Sequence, residues 1–227
     1  MTTASTAIPL PFRENRFLQV LCCVVGAVIL ITAATPEKAI DWWMESATAL
    51  VFLVILATTY RRLTLSQVSY LLILVFLVLH EWGAQYKYTT VPLGEWMKPL
   101  LGTTRNHFDR VMHFNYGFLL SYPMQEWLMR SAGVWSRWRY VFPVAMILAF
   151  SACYEISEAF MAMILTPERG EEFVGMQGDM WDAQKDMGLA ALGAALTMCI
   201  VAVVRSRRRA RAVAEPPYVV RKTATGR

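Results

Sequence analysis

The chain has 227 residues, of which 56% are hydrophobic and 17% are charged, and its formal net charge is +5. A soluble globular domain carries about 25% charged residues, so the composition excludes an ordinary soluble domain and indicates a membrane protein. The basic residues lie in short groups between long apolar runs. Membrane topology explains that grouping, so we exclude nucleic acid as a partner.

Six segments are apolar over enough residues, or nearly enough, to cross a hydrocarbon core of about 30 Å, which takes about 20 helical residues. The first lacks a small-residue cleavage site, so we expect a retained helix rather than a signal peptide. In chain order the segments are Phe17–Ala34, Trp42–Tyr60, Ser66–Gln85, Asp109–Leu128, Tyr140–Leu165 and Met187–Val204. The sequence predicts an all-α polytopic membrane protein, with a six-helix transmembrane domain (17–204) between an N-terminal segment (1–16) and a basic C-terminal tail (205–227).

Lysine and arginine set the predicted orientation, because they favour the cytoplasmic side of a membrane. With the N-terminus inside, 15 of the 22 Lys and Arg fall in cytoplasmic segments and 7 fall outside. Six helices then place both termini in the cytoplasm, and we predict a bacterial inner-membrane protein. We interpret the basic run Arg205–Arg211 as a topology anchor that also contacts anionic lipid, and membrane lipids are the partners that the sequence indicates.

One long loop and the four cysteines are further features of the sequence. The loop Tyr86–Asn106 carries several aromatic residues, and we predict that it lies over the bundle at the membrane interface. The four cysteines lie inside apolar runs without metal-ligand spacing, so we expect small core or lipid-facing side chains and no disulfide framework. They are Cys22, Cys23, Cys153 and Cys199.

Ionisable side chains inside a membrane are costly and are a functional hypothesis by default. Because the predicted helices alternate in direction, His and acidic residues from four of them fall in the outer third of the membrane. Glu155 and Glu158 lie one turn apart in an apolar run, so they need a proton, a cation or a basic partner. We predict acid/base or catalytic functions for Glu155, Glu158, His113 and Asp109.

Several kinds of chemistry fit these residues. A divalent metal is the one cofactor that the pattern suggests, with His80, Glu81, His113 and Glu155 as its ligands. The same groups also fit a proton relay. Two arginines near the same outer side of the membrane, Arg105 and Arg110, fit the phosphate of a lipid head group. The predicted substrate-binding set is Arg105, Arg110, Asp182, Asp186 and Trp181.

Structural interpretations stay open beside the functional ones. Asp109 fits a helix N-cap, His113 fits a packed and hydrogen-bonded histidine, and Asp179 and Asp182 fit solvated loop acids. We interpret Glu126 as the partner of Arg130 in a surface ion pair. His80-Glu81 lacks the second histidine of a zincin, and the chain has neither a Gly-x-Ser-x-Gly elbow nor a phosphate-binding loop.

Four motifs, in order and over roughly residues 70–195, resemble the YjdF family of uncharacterised bacterial inner-membrane proteins. They are His80-Glu81-x-Gly83-Ala84, Arg105-Asn106-x-x-Asp109-Arg110-x-x-His113-Phe114, Tyr154-Glu155-x-x-Glu158 and Gln177-Gly178-Asp179-x-Trp181-Asp182-x-Gln184-x-Asp186-Met187. Gln85 stands where a histidine is common in that family. A metal site built on three family histidines would therefore lose one ligand here.

A more distant resemblance links the same region to VanZ-like proteins of the cell envelope. It rests on Asp109, His113, Phe114 and Tyr116, followed by Asp182, Asp186 and Gly188. This resemblance implies an envelope lipid or glycolipid as the ligand.

Three functions follow from the sequence. The first is a site that faces the periplasm and acts on, or binds, an envelope lipid or a lipid-linked sugar. The second is an ion or proton transporter, although the chain lacks the internal repeat that is usual in transporters. The third is a non-catalytic assembly protein. The sequence leaves catalysis, the substrate and the oligomeric state open.

Overall fold

The structure is a computed structural model that describes residues 11–167, 170 and 175–214. The predictions for residues 1–10, the start of the N-terminal segment, and for residues 215–227, the end of the basic tail, lie outside the described residues. The described part is all-helical, as predicted. After a short 3-10 helix (Phe12–Glu14) it contains α1 (Arg16–Ala34), α2 (Ala39–Thr59), α3 (Gln67–Gln85), α4 (Pro92–Leu101), α5 (Phe108–Ser131), α6 (Trp138–Ile164) and α7 (Asp182–Ala214).

Five of these helices, α1, α2, α3, α6 and α7, are long and apolar enough to cross a membrane. The prediction of a polytopic membrane protein is therefore confirmed. The remaining predicted span, α5, has 24 residues, enough to cross, but it is more polar. Its position explains this difference, because α5 packs against α3, α6 and α7. A sixth span and the orientation with both termini inside stay predictions.

The helices run up and down, so the bundle has two distinct ends. At one end Glu37, which precedes α2, donates its backbone N–H to the carbonyl of Gln85 at the end of α3. At the other, Asn15 donates to the hydroxyl of Tyr60, which joins the start of α1 to the end of α2. We call the first the site end, where α1, α3 and α6 finish, and the second the basic end.

The charges of the described residues divide between these two ends. The half of the bundle at the site end holds 11 of the 13 Asp and Glu, whereas the basic end holds 12 of the 18 Lys and Arg. The basic end also carries the ion pair predicted for Glu126 and Arg130, at 2.6 Å. In addition, Glu126 accepts hydrogen bonds from Ser66 and Ser69 and so caps the first turn of α3.

Glycines bring α5 and α7 into close contact. A Cβ atom at Gly117 would lie 1.8 Å from the carbonyl oxygen of Ala190, and one at Gly193 would lie 2.2 Å from that of Phe114. Small residues of this kind let membrane helices approach backbone to backbone. The α5–α7 pair is therefore in close backbone contact inside the bundle, and this contact holds the start of α7 beside the start of α5.

The structure adds one helix to the predicted set and extends the last span at both ends, whereas the bounds of the other spans shift by at most three residues. The interfacial loop contains a regular helix, α4, which begins with Pro92 and ends at Gly102 in the left-handed region. Its exposed Trp96 and Leu100 suit an interfacial position. Helix α7 begins five residues before the predicted span, because its first-turn acid favours a helix N-terminus. It also continues through Arg205–Arg211, since arginine is a good helix former.

Candidate functional site

A cleft of about 530 Å³ lies at the site end between the second half of α6 and the start of α7, and we call it the acidic cleft. Among the described residues, six carboxylates line it, from Asp109, Glu155, Glu158, Asp179, Asp182 and Asp186. Its apolar lining comes mainly from Ala159, Ala162, Met163, Met176 and Met180. No basic side chain lines it among the residues that the structure describes. The cleft thus combines a strongly acidic floor with an apolar wall.

Helical spacing explains which side chains of α6 line the cleft and which are exposed on its other side. Glu155, Glu158 and Ala162 lie three or four residues apart, so they share the face that lines the cleft. Ile156 and Phe160 lie on another face and are exposed, as expected for a surface that meets lipid. One helix therefore carries both an acidic face on the cleft and an exposed apolar face.

His113 lies beneath the floor of the cleft and links α5 to α6. Its Nε2 atom is 3.2 Å from Oε1 of Glu155 on α6 and 3.6 Å from Oδ1 of Asp109 one turn away. Its Nδ1 atom is 3.4 Å from the hydroxyl of Ser151, also on α6. The prediction placed Asp109, His113 and Glu155 together, and the structure brings these side chains into contact.

Asp186 completes this cluster from α7. One ligand atom each from Asp109, His113 and Asp186 lies within 4.8 Å of the others. Asp186 is 1% exposed, and its Oδ1 atom has no hydrogen-bond partner. Oε1 of Glu155 is likewise buried without a hydrogen bond, although His113 is close. Such orphaned buried oxygens are rare in proteins and suggest a missing partner.

The arginines predicted to bind phosphate are occupied by aspartates. Nη2 of Arg105 lies 2.6 Å from Oδ1 of Asp182, and the Arg105 guanidinium also donates to the carbonyl of Met176. Arg110 pairs with Asp179 and lies 3.4 Å from Asp182. These contacts hold the segment before α7 against the start of α5. Phosphate binding by Arg105 and Arg110 stays a prediction, and the observed contacts favour a structural role.

A reciprocal amide pair strengthens the same junction. The backbone N–H of Asn106 donates to Oε1 of Gln177 at 2.9 Å, and Nε2 of Gln177 donates back to the Asn106 carbonyl at 3.1 Å. The Asn106 side chain is fully buried and donates to the carbonyl of Val91 and to Glu95. Two of the four sequence motifs therefore meet in this junction, which we call the clamp.

His80 belongs to a separate network at the same end. Its Nε2 atom is 3.3 Å from the carbonyl of Glu45, which can only accept, so this nitrogen carries the proton. Nδ1 is then the acceptor for the hydroxyl of Tyr88, at 2.5 Å. Gly83 permits this arrangement, because a Cβ atom there would lie 2.7 Å from the Tyr88 ring. Both ring nitrogens of His80 are therefore committed to protein partners.

Glu45 was missed by the sequence interpretation. Its buried carboxylate accepts a hydrogen bond of 2.8 Å from the hydroxyl of Tyr154, whose ring lies against His113. This connects the His80 network to the acidic cleft. The signal was present in the sequence, because Asp41 and Glu45 are two acids four residues apart near the start of an apolar helix.

Glu81 points away from the cluster around His113. Its Oε2 atom accepts from Thr32 on α1 at 3.2 Å and from Ser46 on α2 at 3.1 Å. Among the described residues, the group of metal-ligand type contains Asp109, His113 and Asp186 but neither His80 nor Glu81. The predicted metal set is therefore brought together only in part, through His113 and Glu155.

The remaining predicted substrate residues divide into two groups. Asp182 and Asp186 line the acidic cleft. Trp181 does not line it among the described residues and is largely exposed, beside the clamp. An exposed tryptophan at the end of a membrane helix suits the lipid interface. The cysteines of α1, α6 and α7 are free and exposed. Their interpretation as small core or lipid-facing side chains stays a prediction.

Electrostatics at the rim follow from the clamp. The hydrogen bond from Lys185, together with Arg110, lowers the pKa of Asp179 to about 2. Hydrogen bonds from Lys98 and Asn106 lower the pKa of Glu95. Partial burial, with the charges of Arg110 and Arg105, lowers the pKa of His107. At neutral pH the rim therefore holds ionised acids and a neutral imidazole.

Comparisons with known proteins agree with the motifs. Residues 17–207 match the family described as "Predicted membrane protein (DUF2238)". The chain is also 32% identical over 182 residues to "Inner membrane protein YjdF" of Escherichia coli (strain K12). The aligned region covers 80% of this chain and 87% of that protein. No solved structure matches the chain. The predicted resemblance to the YjdF family is confirmed, and the VanZ-like resemblance stays a prediction.

Proposed function

The chain belongs to the DUF2238 family of membrane proteins, as its match over residues 17–207 establishes, and we propose a ligand for its acidic cleft. The cleft of this inner-membrane protein binds the head group of an envelope lipid or a lipid-linked sugar. The observation that carries this proposal is the composition of the cleft. An acidic floor continues into a wall of Ala and Met side chains beside the lipid-facing surface of α6.

The size and the lining of the cleft support an amphiphilic ligand. Small-molecule sites commonly have volumes of about 300–1,000 Å³ and combine an apolar lining with a few polar groups. Met163 and Met180 are exposed. Methionine has an unbranched, flexible side chain that adapts to apolar chains of varied shape. A head group would contact the carboxylates while the attached chain follows the apolar wall toward the bilayer.

The charge of the cleft restricts the head group. Six carboxylates of the described residues line the cleft, and two arginines that neighbour them, Arg105 and Arg110, are paired with aspartates. A bare phosphate would find no basic partner among the described residues that line the cleft. The ligand therefore carries an amine, carries many hydroxyl groups as a sugar does, or binds together with a cation. Any catalysis would use Glu155, Glu158 and His113 as acid/base groups, with Asp109 orienting the imidazole.

The orientation of the cleft is part of the proposal. Six spans with the basic end in the cytoplasm place the cleft on the periplasmic side, which follows the positive-inside rule. Helix α5 would be the sixth span, because 24 residues extend for about 36 Å as a helix. Its polar side chains would be shielded from lipid by α3, α6 and α7.

Lipid retention by the purified protein tests this function. Ala159→Trp fills the acidic cleft with an indole, whereas Ile156→Trp adds the same ring to the lipid-facing side of the same helix turn. Native mass spectrometry should find one lipid class enriched on the wild type and on Ile156→Trp, and it should find that class lost from Ala159→Trp. Glu155→Gln should weaken retention without lowering the amount of protein in the membrane.

Two results would overturn the proposal. One is a wild type that carries only the lipid mixture of the membrane from which it was purified. The other is an Ala159→Trp variant that retains the enriched lipid as fully as Ile156→Trp does. Both variants introduce a tryptophan into the same helix, so a general loss of stability would lower lipid retention in both.

Proton or ion transport is the second candidate, and one observation favours it. His113, Gly117, Ser121 and Gln125 lie four residues apart on one face of α5, toward the basic end. Ser121 Oγ and Gln125 Oε1 are buried and lack partners. However, the backbones of α5 and α7 are in close contact at Gly117, which lies between His113 and Ser121 on this face and would obstruct a polar path there. Proton or divalent-ion flux into proteoliposomes, abolished by Glu155→Gln, would reverse this ranking.

A further inference from the structure

We propose that Asp109, His113 and Asp186 hold a divalent cation at the floor of the acidic cleft. The inference deepens the proposed function, on whose cleft it rests, by naming a cation as part of what the cleft binds. It replaces the ligand set expected from the sequence, because His80 and Glu81 have other partners.

The geometry of the three residues suits a cation. Their ligand atoms lie within 4.8 Å of one another, and Nε2 of His113 is 3.6 Å from Oδ1 of Asp109. Adjacent ligands at about 2.1 Å from a metal lie about 3.0 to 3.4 Å apart. Small side-chain rotations would therefore close the three atoms around one ion.

Asp186 carries a buried oxygen that lacks a partner. The residue is 1% exposed, and Oδ1 has no hydrogen-bond partner although it lies beside other carboxylates. A buried carboxylate without a partner costs a large desolvation free energy unless a proton or a cation compensates it. The acids from α5, α6 and α7 meet at this point, where one divalent ion would compensate several of them.

Ser151 supplies the support that a metal-binding histidine needs. A histidine that binds metal through Nε2 normally donates its Nδ1–H to a neighbouring group, which fixes the ring. Oγ of Ser151 is 3.4 Å from Nδ1 of His113, and Ser151 is itself buried. Three protein ligands leave further positions open toward the cleft, where Glu155 lies 3.2 Å from Nε2 of His113.

The donor set narrows the metal. One imidazole with two carboxylates suits Mn²⁺, Fe²⁺ or Zn²⁺ better than a soft ion, because the described part of the site has no thiolate. The position on three facing helices is also typical of metal sites in helix bundles. We therefore take Mn²⁺ and Zn²⁺ as probes.

Metal binding is measured on full-length protein, stripped with a chelator and kept in detergent without added lipid. Mn²⁺ titration followed by electron paramagnetic resonance, and Zn²⁺ titration by calorimetry, should give one site per chain. Asp186→Asn and His113→Gln should each weaken binding at least tenfold. The two other histidines serve as controls, so His80→Gln and His107→Gln should keep the wild-type affinity.

Thermal unfolding separates a lost site from a lost fold. Without metal, Asp186→Asn should melt at or above the temperature of the wild type, because it removes an unpartnered buried carboxylate from an acidic cluster. Added metal should raise the melting temperature of the wild type but not that of Asp186→Asn. A wild type that binds neither ion overturns the inference, as does an Asp186→Asn variant that binds as tightly as the wild type. Neither result depends on lipid, so lipid retention still judges the proposed function separately.

Discussion

Nη2 of Arg105 lies 2.6 Å from Oδ1 of Asp182, and each of the two side chains is 6% exposed. This buried ion pair joins the segment before α5 to the first residue of α7. It fixes the relative positions of two helices that both contribute to the acidic cleft. Its main effect is therefore on the geometry of the site rather than on a ligand.

We expect Arg105→Ala to destabilise the protein by about 3 kcal/mol, because it leaves the Asp182 carboxylate buried without its partner. For a chain of this size that corresponds to a fall in melting temperature of roughly 10 °C in detergent. The melting temperature of Arg105→Lys should fall by less, since lysine keeps the charge but lacks the planar guanidinium. If Arg105→Ala melts like the wild type but loses lipid retention, Arg105 is a ligand-binding residue as the sequence predicted.

Gly117→Ala should disrupt the bundle, because the new Cβ atom would lie 1.8 Å from the backbone of Ala190. The two helix backbones must separate to accept it, and overpacking of this kind costs about 1–3 kcal/mol or more. We expect lower expression and a lower melting temperature by thermal unfolding in detergent. Gly188→Ala is the matched control, since a Cβ atom there contacts nothing within 4 Å. Equal melting temperatures for the two variants would show that α5 and α7 are not in backbone contact.

The rim of the cleft should lose stability in acid. The folded pKa of Asp179 is lowered to about 2, from 3.8, mainly by its hydrogen bond from Lys185. A lowered folded pKa means that the interaction contributes fully above pH 3.8 and is lost as the pH falls toward 2. The melting temperature of the wild type should therefore approach that of Asp179→Asn between pH 4 and pH 2, a range given by those two values. A constant difference across this range would contradict the pairing.

Topology is testable with two single-cysteine additions. Leu100→Cys lies on the exposed face of α4 at the site end, and Ser136→Cys lies between α5 and α6 at the basic end. If α5 crosses the membrane, a membrane-impermeant maleimide should label Leu100→Cys in intact spheroplasts and should label Ser136→Cys only after lysis. The wild type is the control, because its four cysteines lie in apolar helices. Labelling of both variants from one side would remove α5 as a span.

The sequence predicted the membrane class well, because apolar runs of about 20 residues have few other uses. It treated α5 as one span among six without indicating its central position. That position depends on Gly117 and Gly193, whose close approach to neighbouring backbones is a property of packing. The short helix α4 was expected only as an interfacial loop, since its ten residues contain two prolines.

The site was predicted in part for a similar reason. Alternating helix direction places residues at the same depth, and this brought Asp109, His113 and Glu155 together correctly. Depth does not specify the face of a helix, however. His80 and Glu81 are consecutive and therefore point about 100° apart, the first toward Tyr88 and the second toward α1 and α2. Neither direction leads to His113.

The central position of α5 has a consequence for biogenesis. A helix with an Asp, a Glu, two Arg, a His, an Asn and a Gln is poorly suited to partition alone from the translocon into lipid. Yet α5 is synthesised before α6 and α7, the two helices that later enclose it together with α3. We therefore expect α5 to wait at the translocon, beside α3, until α7 emerges. Truncation after α6 should leave a chain that the membrane quality-control proteases degrade.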